Sequence, residues 1–440
     1  MTDPKRFFVR SYGCQMNVYD AERMEELLVA DGMAKAERQE DADVVVLNPC
    51  HIREKAAEKV YSEIGRIRKK ANALGTRPVV AVAGCVAQAE GAEIAARAPD
   101  VGVIVGPQAY HRLPAMLAKA AKGERAVDTD LPTLQKFKAL GTKRRAAPSS
   151  FLTIQEGCDK FCTYCVVPYT RGAEVSRDAD IVMEEAQRLA DGGAREIVLL
   201  GQNVNAYRDA AGVGFAALIA RVATVAGIER IRYTTSHPAD MTDELIDAHG
   251  EIAELMPYLH LPVQSGNDRI LKAMNRSHTA ESYLASIARL RAVRPDMAIS
   301  GDFIVGFPGE TEAEFEDTLR IVEATNYAQA YSFKYSPRPG TPAATMEGQI
   351  DEDVKSDRLA RLQAALNAQQ LAFNRGSVGM TCDVLAERPG KHQGQLIGKT
   401  PWLQSVHFQA EGAAIGDIVS VKIQSAGPNS LAGTRTRKAA

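Results

Sequence analysis

The chain has 440 residues, 45% of them hydrophobic and 25% charged, with a formal net charge of −2. This length suits two or three domains with sizeable cores, and the near-neutral balance excludes a global pull toward nucleic acid, leaving any RNA contact to local patches. No long apolar run and no secretory leader occur, so the expectation is a cytoplasmic protein without a membrane span, in which seven cysteines speak for metal or redox chemistry over disulfides.

Residues 1–123 repeat one unit: a short apolar run ends in a cysteine, and a helical pattern follows. RFFVRSYGC precedes a helix over Asp20–Gly32, ADVVVLNPC an amphipathic stretch over Arg53–Leu74, and PVVAVAGC a helix over Ala89–Arg97. This βα repetition predicts an open parallel sheet buried on both faces. Cys14, Cys50 and Cys85 then fall at the C-terminal ends of three strands, the edge where such sheets gather ligands. Each alone also reads as a common buried small hydrophobe. At equivalent places in three successive units they read as the ligands of one iron–sulfur cluster with an open corner. His51, next to Cys50, is explained as well by helix-start polarity as by ligation.

Residues 124–147 read as a linker. Its basic strip KFKALGTKRR (136–145) fits either a solvated tether or an RNA contact.

From 148 to 375 strands and helices alternate again. FLTIQE, REIVLLG, RIRYTT, YLHLPV, AISGDFIVGF and AQAYSFKYS are strand candidates, with helices over Ala179–Asp191, Glu281–Val293 and Glu312–Thr325 and a closing helix over Asp351–Asn374. About six βα units predict a partial (β/α)6 barrel with its site at the C-terminal ends of the strands. The run GCDKFCTYC places Cys158, Cys162 and Cys165 at C-x3-C-x2-C spacing. Three thiolates so spaced can hold three irons of a 4Fe–4S cube and leave the fourth open to a small molecule. Zinc is the competing reading, but structural zinc sites pair C-x2-C with a second pair of ligands, and none lies nearby.

Residues 376–439 change character. Apolar–polar alternation with glycines predicts a small antiparallel β-barrel of the oligonucleotide-binding kind. After Gly376 there are seven Lys and Arg against four Asp and Glu, with Arg435, Arg437 and Lys438 near the end. This mild positive charge suits holding RNA. Cys382 reads as a packed core residue, and Trp402 could either stack a base or fill the small core.

GCDKFCTYC, with Tyr164 before its last cysteine, resembles the signature of the radical S-adenosylmethionine (SAM) superfamily. SYGCQMN, NPCHIREKA, AGCVAQ, EGCDKFCTYCVVPYTRGAEVSR, LPVQSGNDRILKAMNR and GDFIVGFPGET together resemble the methylthiotransferases of that superfamily over nearly the whole chain. The resemblance implies an α/β protein of three domains: a methylthiotransferase N-terminal domain at 1–123, a radical SAM core at 148–375 and a TRAM domain at 376–439. It also implies two 4Fe–4S clusters, on Cys14, Cys50 and Cys85 and on Cys158, Cys162 and Cys165, and two SAM molecules per product. One SAM gives a methyl group to sulfur. The other yields a 5′-deoxyadenosyl radical that takes hydrogen from an unreactive carbon. LLGQNVNAY, with Asn203, resembles the branch that acts on tRNA, at carbon 2 of an adenine already carrying a dimethylallyl group beside the anticodon. The alternative branch modifies an aspartate of a small-subunit ribosomal protein. An electron donor such as flavodoxin or ferredoxin and a sulfur source are further implied partners.

Where related enzymes carry a Gly-Gly-Glu turn that binds the SAM amino group, this chain reads Gly201-Gln202-Asn203. The amide oxygens of Gln202 and Asn203 can accept the same hydrogen bonds, or the turn merely needs residues that tolerate φ > 0. Gln264 and Asp302 lie at other expected strand ends and are further candidates for the SAM pocket, against turn or capping roles. Arg171 and Arg177 could pair the SAM carboxylate or a tRNA phosphate, or lie on the surface.

Overall fold

The computed structural model describes residues 4–51, 55–131, 136–137 and 146–436. The chain divides into two compact units, one of residues 1–144, 155–161 and 165–177, the other of residues 145–154, 162–164 and 178–440. The architecture is mixed α/β in both, with a small all-β barrel at the end of the second.

The first unit is built on a six-stranded parallel sheet of β1 (Arg6–Tyr12), β2 (Ala34–Lys35), β3 (Val44–Pro49), β4 (Val79–Ala83), β5 (Val101–Val105) and β6 (Ala126–Asp128), in the order β2-β1-β3-β4-β5-β6. Every residue of β3 is buried, as its unbroken VVVLNP requires. On one face Val44, Val46, Ala81 and Val103 pack against Met24 and Leu28 of helix Gln15–Ala30 and Leu113 and Leu117 of helix Leu113–Ala120. On the other, Val45, Leu47, Val80 and Ile104 meet Val60 and Ile64 of helix Lys55–Leu74 and Val86 and Ile94 of helix Gly84–Arg97. Each such fully buried Val, Leu or Ile contributes about 1.5–3 kcal/mol. The helices after β1 and β4 begin earlier than their polar patterns suggest. The one after β1 has Cys14 as N-cap, and the one after β4 opens at Gly84.

The second unit holds six parallel barrel strands, β7 (Ser149–Thr153), β10 (Glu196–Leu200), β11 (Arg230–Thr234), β12 (Tyr258–His260), β13 (Ala298–Val305) and β14 (Gln329–Lys334). They form two three-stranded sheets joined by a parallel bridge between Ile231 and Leu255. Helices begin where capping residues dictate: Thr311 and Glu314 form a capping box for Glu312–Thr325, and Asp178 caps Ala179–Asp191. Strand residues alternate. Ile197, Leu199, Ile231, Tyr233, Ile299 and Phe303 enter the core beneath the helices. Glu196, Arg230, Arg232, His260 and Asp302 occupy the other face. The short β8 (Gln155–Glu156) and β9 (Val175–Ser176) pair as an antiparallel ribbon in the first unit.

The final barrel closes through β15 (Thr381–Pro389), β16 (Gln395–Lys399), β17 (Ser405–Gln409), β19 (Leu431–Arg435) and β18 (Ile418–Ala426). Only the β17–β19 pairing is parallel. Cys382 lies in its core with Val384, Phe408 and Val421.

This barrel is clamped to the N-terminal ends of the (β/α) strands. Arg230 donates to the carbonyls of Lys399 (2.9 Å) and Asp383 (2.8 Å). Arg232 donates to those of Pro401 and Thr400 (both 2.8 Å) and pairs with Glu196 at 2.8 Å, both side chains being at most 3% exposed. Trp402 donates its indole N–H to the Asp296 carbonyl (2.9 Å) and packs with Leu403 against Tyr258, Ala298 and Ala328. Trp402 also packs against the core of the small barrel, so of the two sequence readings its ring follows packing, shared between that core and this seam.

Candidate functional site

Three neighbouring strands, β1, β3 and β4, deliver Cys14, Cys50 and Cys85 to one edge of the first sheet. The glycines before two of them make this possible. Gly13 has φ +133 and a Cβ there would lie 2.1 Å from the Cys50 Cβ; Gly84 has φ +76 and a Cβ there would lie 2.2 Å from Asn48 Oδ1. Any other residue would be strained at both places, and would press on Cys50 at the first and on Asn48 at the second. Beneath them Asn17 and Asn48, both fully buried, bond each other: Asn17 Nδ2 donates to Asn48 Oδ1 (3.2 Å) and Asn48 Nδ2 to the Asn17 carbonyl (2.8 Å). Cys14 Sγ donates to Asn17 Oδ1 at 3.0 Å.

The electrostatics favour ionisation at one of these thiols. A hydrogen bond from Cys50 pulls the Cys14 thiol down to about 6, against burial and with help from Arg171. Burial pushes Cys85 up, and Arg171 opposes it. Arg171 is itself buried. It donates from Nη2 to Asp20 Oδ2 (2.7 Å) and from Nε to Cys85 Sγ (3.3 Å). Burial works against its charge, but Asp20, Cys85 and Glu156 keep it protonated beyond the usual range. Lys136, fully buried, completes the group by pairing with Glu156 and, at 3.5 Å, with Asp20 Oδ1. Arg171 is therefore neither a surface residue nor poised for a phosphate. Arg177 is also buried, with its guanidinium over the Phe137 ring at 5.3 Å. Of the basic strip 136–145, Lys136 lies inside an ion-pair network, and residues 138–145 fall outside the described residues, as do Arg437 and Lys438. His51 pairs with Glu90 at 3.3 Å.

No group of three His, Cys, Asp or Glu side chains among the described residues converges on a single ion. A cube does not need such convergence, because each thiolate binds a different iron. Three cysteines on adjacent strand ends, one with a depressed pKa and one facing a guanidinium, fit that donor set.

Parts of the cysteine loop are anchored within each unit. In the first unit the Cys158 N–H donates to the Gly172 carbonyl (3.3 Å), and the Val167 N–H to Cys165 Sγ (3.4 Å). In the second, the Thr163 N–H donates to the Met274 carbonyl (3.0 Å), and Thr163 Oγ1 to that of Ala273 (2.9 Å). Tyr164 packs with Ile270, Met274, Phe307 and Tyr335, and Arg276 Nη1 stands 3.8 Å from Cys162 Sγ.

The SAM candidates all sit in the second unit. Gln264 and Asp302 are ladder neighbours, the Gln264 N–H donating to the Asp302 carbonyl at 2.9 Å. Gln264 adopts φ +75, an uncommon state for a residue with a side chain, which marks a constrained turn. Asn203 has φ −149, so the turn after β10 does not use it for left-handed backbone. Its Nδ2 donates to Asp240 Oδ2 at 2.9 Å. Asp302 faces His260 Nε2 at 3.5 Å, and His260 Nδ1 lies 3.0 Å from Ser300 Oγ. Asn17, Asn48, Asp20, Arg276 and His260 escaped sequence reasoning. The only signal for most of them was a fixed offset from a cysteine inside a motif.

Comparison with known proteins adds the rest. Family models match the radical SAM superfamily at residues 152–322, the uncharacterized protein family UPF0004 at 6–106 and the TRAM domain at 375–435. The chain is 66% identical to the tRNA-2-methylthio-N(6)-dimethylallyladenosine synthase of Novosphingobium aromaticivorans, over 98% of this chain and 97% of that protein. The chain belongs to that family. It is also 66% identical to the synthase of Erythrobacter litoralis, over 98% of this chain and 97% of that one. Identity to the synthase of Zymomonas mobilis is 61%, over 98% and 96%. It is thus an enzyme of the radical SAM methylthiotransferases, and membership implies SAM and a 4Fe–4S cluster. In fold it resembles the radical SAM methyltransferase TsrM from Kitasatospora setae, with TM-score 0.58 and 14% identity over 78% of this chain and 77% of that one. It also resembles the cobalamin-dependent radical SAM enzyme OxsB, with TM-score 0.51 and 12% identity over 83% and 56%. No helix among the described residues is long and apolar enough to cross a membrane.

Proposed function

We propose that this synthase adds a methylthio group to carbon 2 of a tRNA adenosine that already carries an N6-dimethylallyl group beside the anticodon. Identity of 61–66% along almost the whole chain to proteins of that name carries the reading. Cys158, Cys162 and Cys165 hold one cluster, and Cys14, Cys50 and Cys85 a second. When bound, the clusters supply the electron that cleaves SAM and an open iron at which sulfur can wait. Gln202, Asn203, Gln264 and Asp302 orient SAM at the strand ends, and Arg276 steadies the middle cysteine. The domains run over 1–123, 148–375 and 376–439, with 124–147 as linker. The protein works in the cytoplasm with a reductant such as flavodoxin or ferredoxin and a separate sulfur source.

The terminal barrel holds the RNA. Arg388, Lys391 and Lys422 are exposed on it. Each phosphate that a cation neutralises releases counterions, so replacing these three with Gln should weaken tRNA binding. The slope of log affinity against log salt should become shallower by about 0.7–0.9 for each phosphate left without its cation. An unchanged slope in filter binding removes the barrel from the RNA site.

The substrate preference is open to a direct assay. Burying a five-carbon alkyl group gains roughly 25 cal/mol per Å² of apolar area, hence about a few kcal/mol before ordering costs. One incubation would contain a prenylated anticodon stem-loop, its unmodified counterpart and the small-subunit ribosomal protein. Nucleoside and peptide mass spectrometry should then find the product on the prenylated RNA, little on the unmodified RNA and none on the protein. A methylthiolated ribosomal aspartate with untouched RNA would overturn the assignment.

A further inference from the structure

The five-residue helix Val167–Arg171 meets a cysteine sulfur at each end. Its first N–H donates to Cys165 Sγ (3.4 Å), and its last side chain donates from Nε to Cys85 Sγ (3.3 Å). Five helical residues span about 7 Å. One short strut therefore links the loop that follows the C-x3-C-x2-C motif to the N-terminal cysteines.

Arg171 is held independently at backbone and side chain. Its carbonyl accepts from Gln108 Nε2 at 2.9 Å, and Gln108 in turn donates to Glu156 Oε2 at 2.8 Å. Its Nη2 is satisfied by Asp20, while Nη1 stands 3.9 Å from Glu156 Oε1 and has no hydrogen-bond partner among the described residues. A structural ion pair with Asp20 does not account for Nε, which is aimed at sulfur. A neutral thiol is a weak acceptor. A metal-bound thiolate is an anionic one, for which a guanidinium N–H is a strong donor.

We infer that Arg171 is a positioning residue of the three-cysteine site: it donates to the Cys85 sulfur, raises the reduction potential of the cluster held there, and through its helix fixes that site against the cysteine loop. The inference rests on Cys14, Cys50 and Cys85 being cluster ligands. Hydrogen bonds to ligand sulfur and nearby positive charge stabilise the reduced, more negative cluster and so raise its potential.

The test uses the full chain carrying Cys158→Ala, Cys162→Ala and Cys165→Ala, reconstituted with iron and sulfide, so that only the N-terminal site is loaded. The readouts are iron content and midpoint potential by EPR-monitored redox titration. Adding Arg171→Gln should shift the potential downward, and Arg171→Lys, which keeps the charge, should fall between. A potential unmoved by Arg171→Gln, with about four irons still bound, overturns the role of Arg171 and leaves the cluster assignment standing. Absence of iron in the parent triple variant overturns the cluster assignment itself. Should Arg171→Gln alone misfold because Asp20 is stranded, Arg171→Gln with Asp20→Asn removes both charges, and its potential should lie below that of Asp20→Asn alone.

Discussion

Replacing Cys158, Cys162 and Cys165 with alanine should leave about four irons per chain, abolish 5′-deoxyadenosine formation from SAM and stop methylthiolation entirely. Replacing Cys14, Cys50 and Cys85 should also leave about four of the about eight irons expected of two cubes. In that variant SAM cleavage should persist while thiolation is lost. The two outcomes differ because the proposed function gives the triads different work: one cluster would reduce SAM, and a separate open corner would keep sulfur available while the radical forms. The cysteines sit in different local frames. One triad occupies three adjacent strand ends of the first sheet, the other a single loop pinned by the Gly172, Met274 and Ala273 carbonyls. Removing either set leaves in place the backbone hydrogen bonds that frame the other, although helix Val167–Arg171 reaches a sulfur of each. Anaerobic reconstitution, iron analysis and chromatographic detection of 5′-deoxyadenosine decide the matter. Full iron content in the Cys14, Cys50 and Cys85 variant would remove the second cluster.

Arg232→Ala should lower stability by about 3–5 kcal/mol, because it strands the Glu196 carboxylate, 1% exposed, without its cation. It also frees two carbonyls of the terminal barrel that Arg232 now satisfies. The double variant Glu196→Ala, Arg232→Ala should recover much of the loss, since no lone charge remains. Thermal unfolding followed by circular dichroism reads both, and an unchanged melting temperature for Arg232→Ala would mean the clamp carries little. The same geometry bears on truncation. Cutting the chain after residue 376 would leave Arg230 and Arg232 facing no acceptors beyond Glu196, so a shortened protein that binds no tRNA would report a damaged barrel as much as a missing RNA surface. The lysine and arginine substitutions proposed above avoid that ambiguity.

Much of the architecture could be read in the residues. Unbroken apolar runs such as VVVLNP and EIVLL announced buried parallel strands, and the helix expected over Glu312–Thr325 lies at those residues. The cysteine-ended repeats foretold which strand ends would be neighbours. Less was legible where partners come from far along the chain. Arg171 finds Asp20 across 151 residues and Cys85 across 86, and nothing local distinguishes it from a surface arginine. RIRYT alternates like a strand with one wet face, yet that face is covered by a barrel some 150–170 residues later. β5 and β6 carry no cysteine, so the repeat that revealed their neighbours passed them over. Helix Gln15–Ala30 starts at a cysteine with no side-chain cap, which is why its polar pattern pointed several residues too late.

The clamp at Arg230 and Arg232 has a bearing on synthesis. A growing chain emerges at about 5–20 residues per second, and its domains tend to fold as they appear. Here the strands that carry Glu196, Arg230 and Arg232 leave the ribosome long before the carbonyls of Asp383, Lys399, Thr400 and Pro401 exist. During that interval Arg232 has Glu196 as a partner, but neither guanidinium group has the terminal-barrel carbonyls that satisfy it in the finished chain. A chain that ends before residue 383 would leave both arginines without these four carbonyls, so an incomplete product differs from a finished one at the base of the (β/α) barrel.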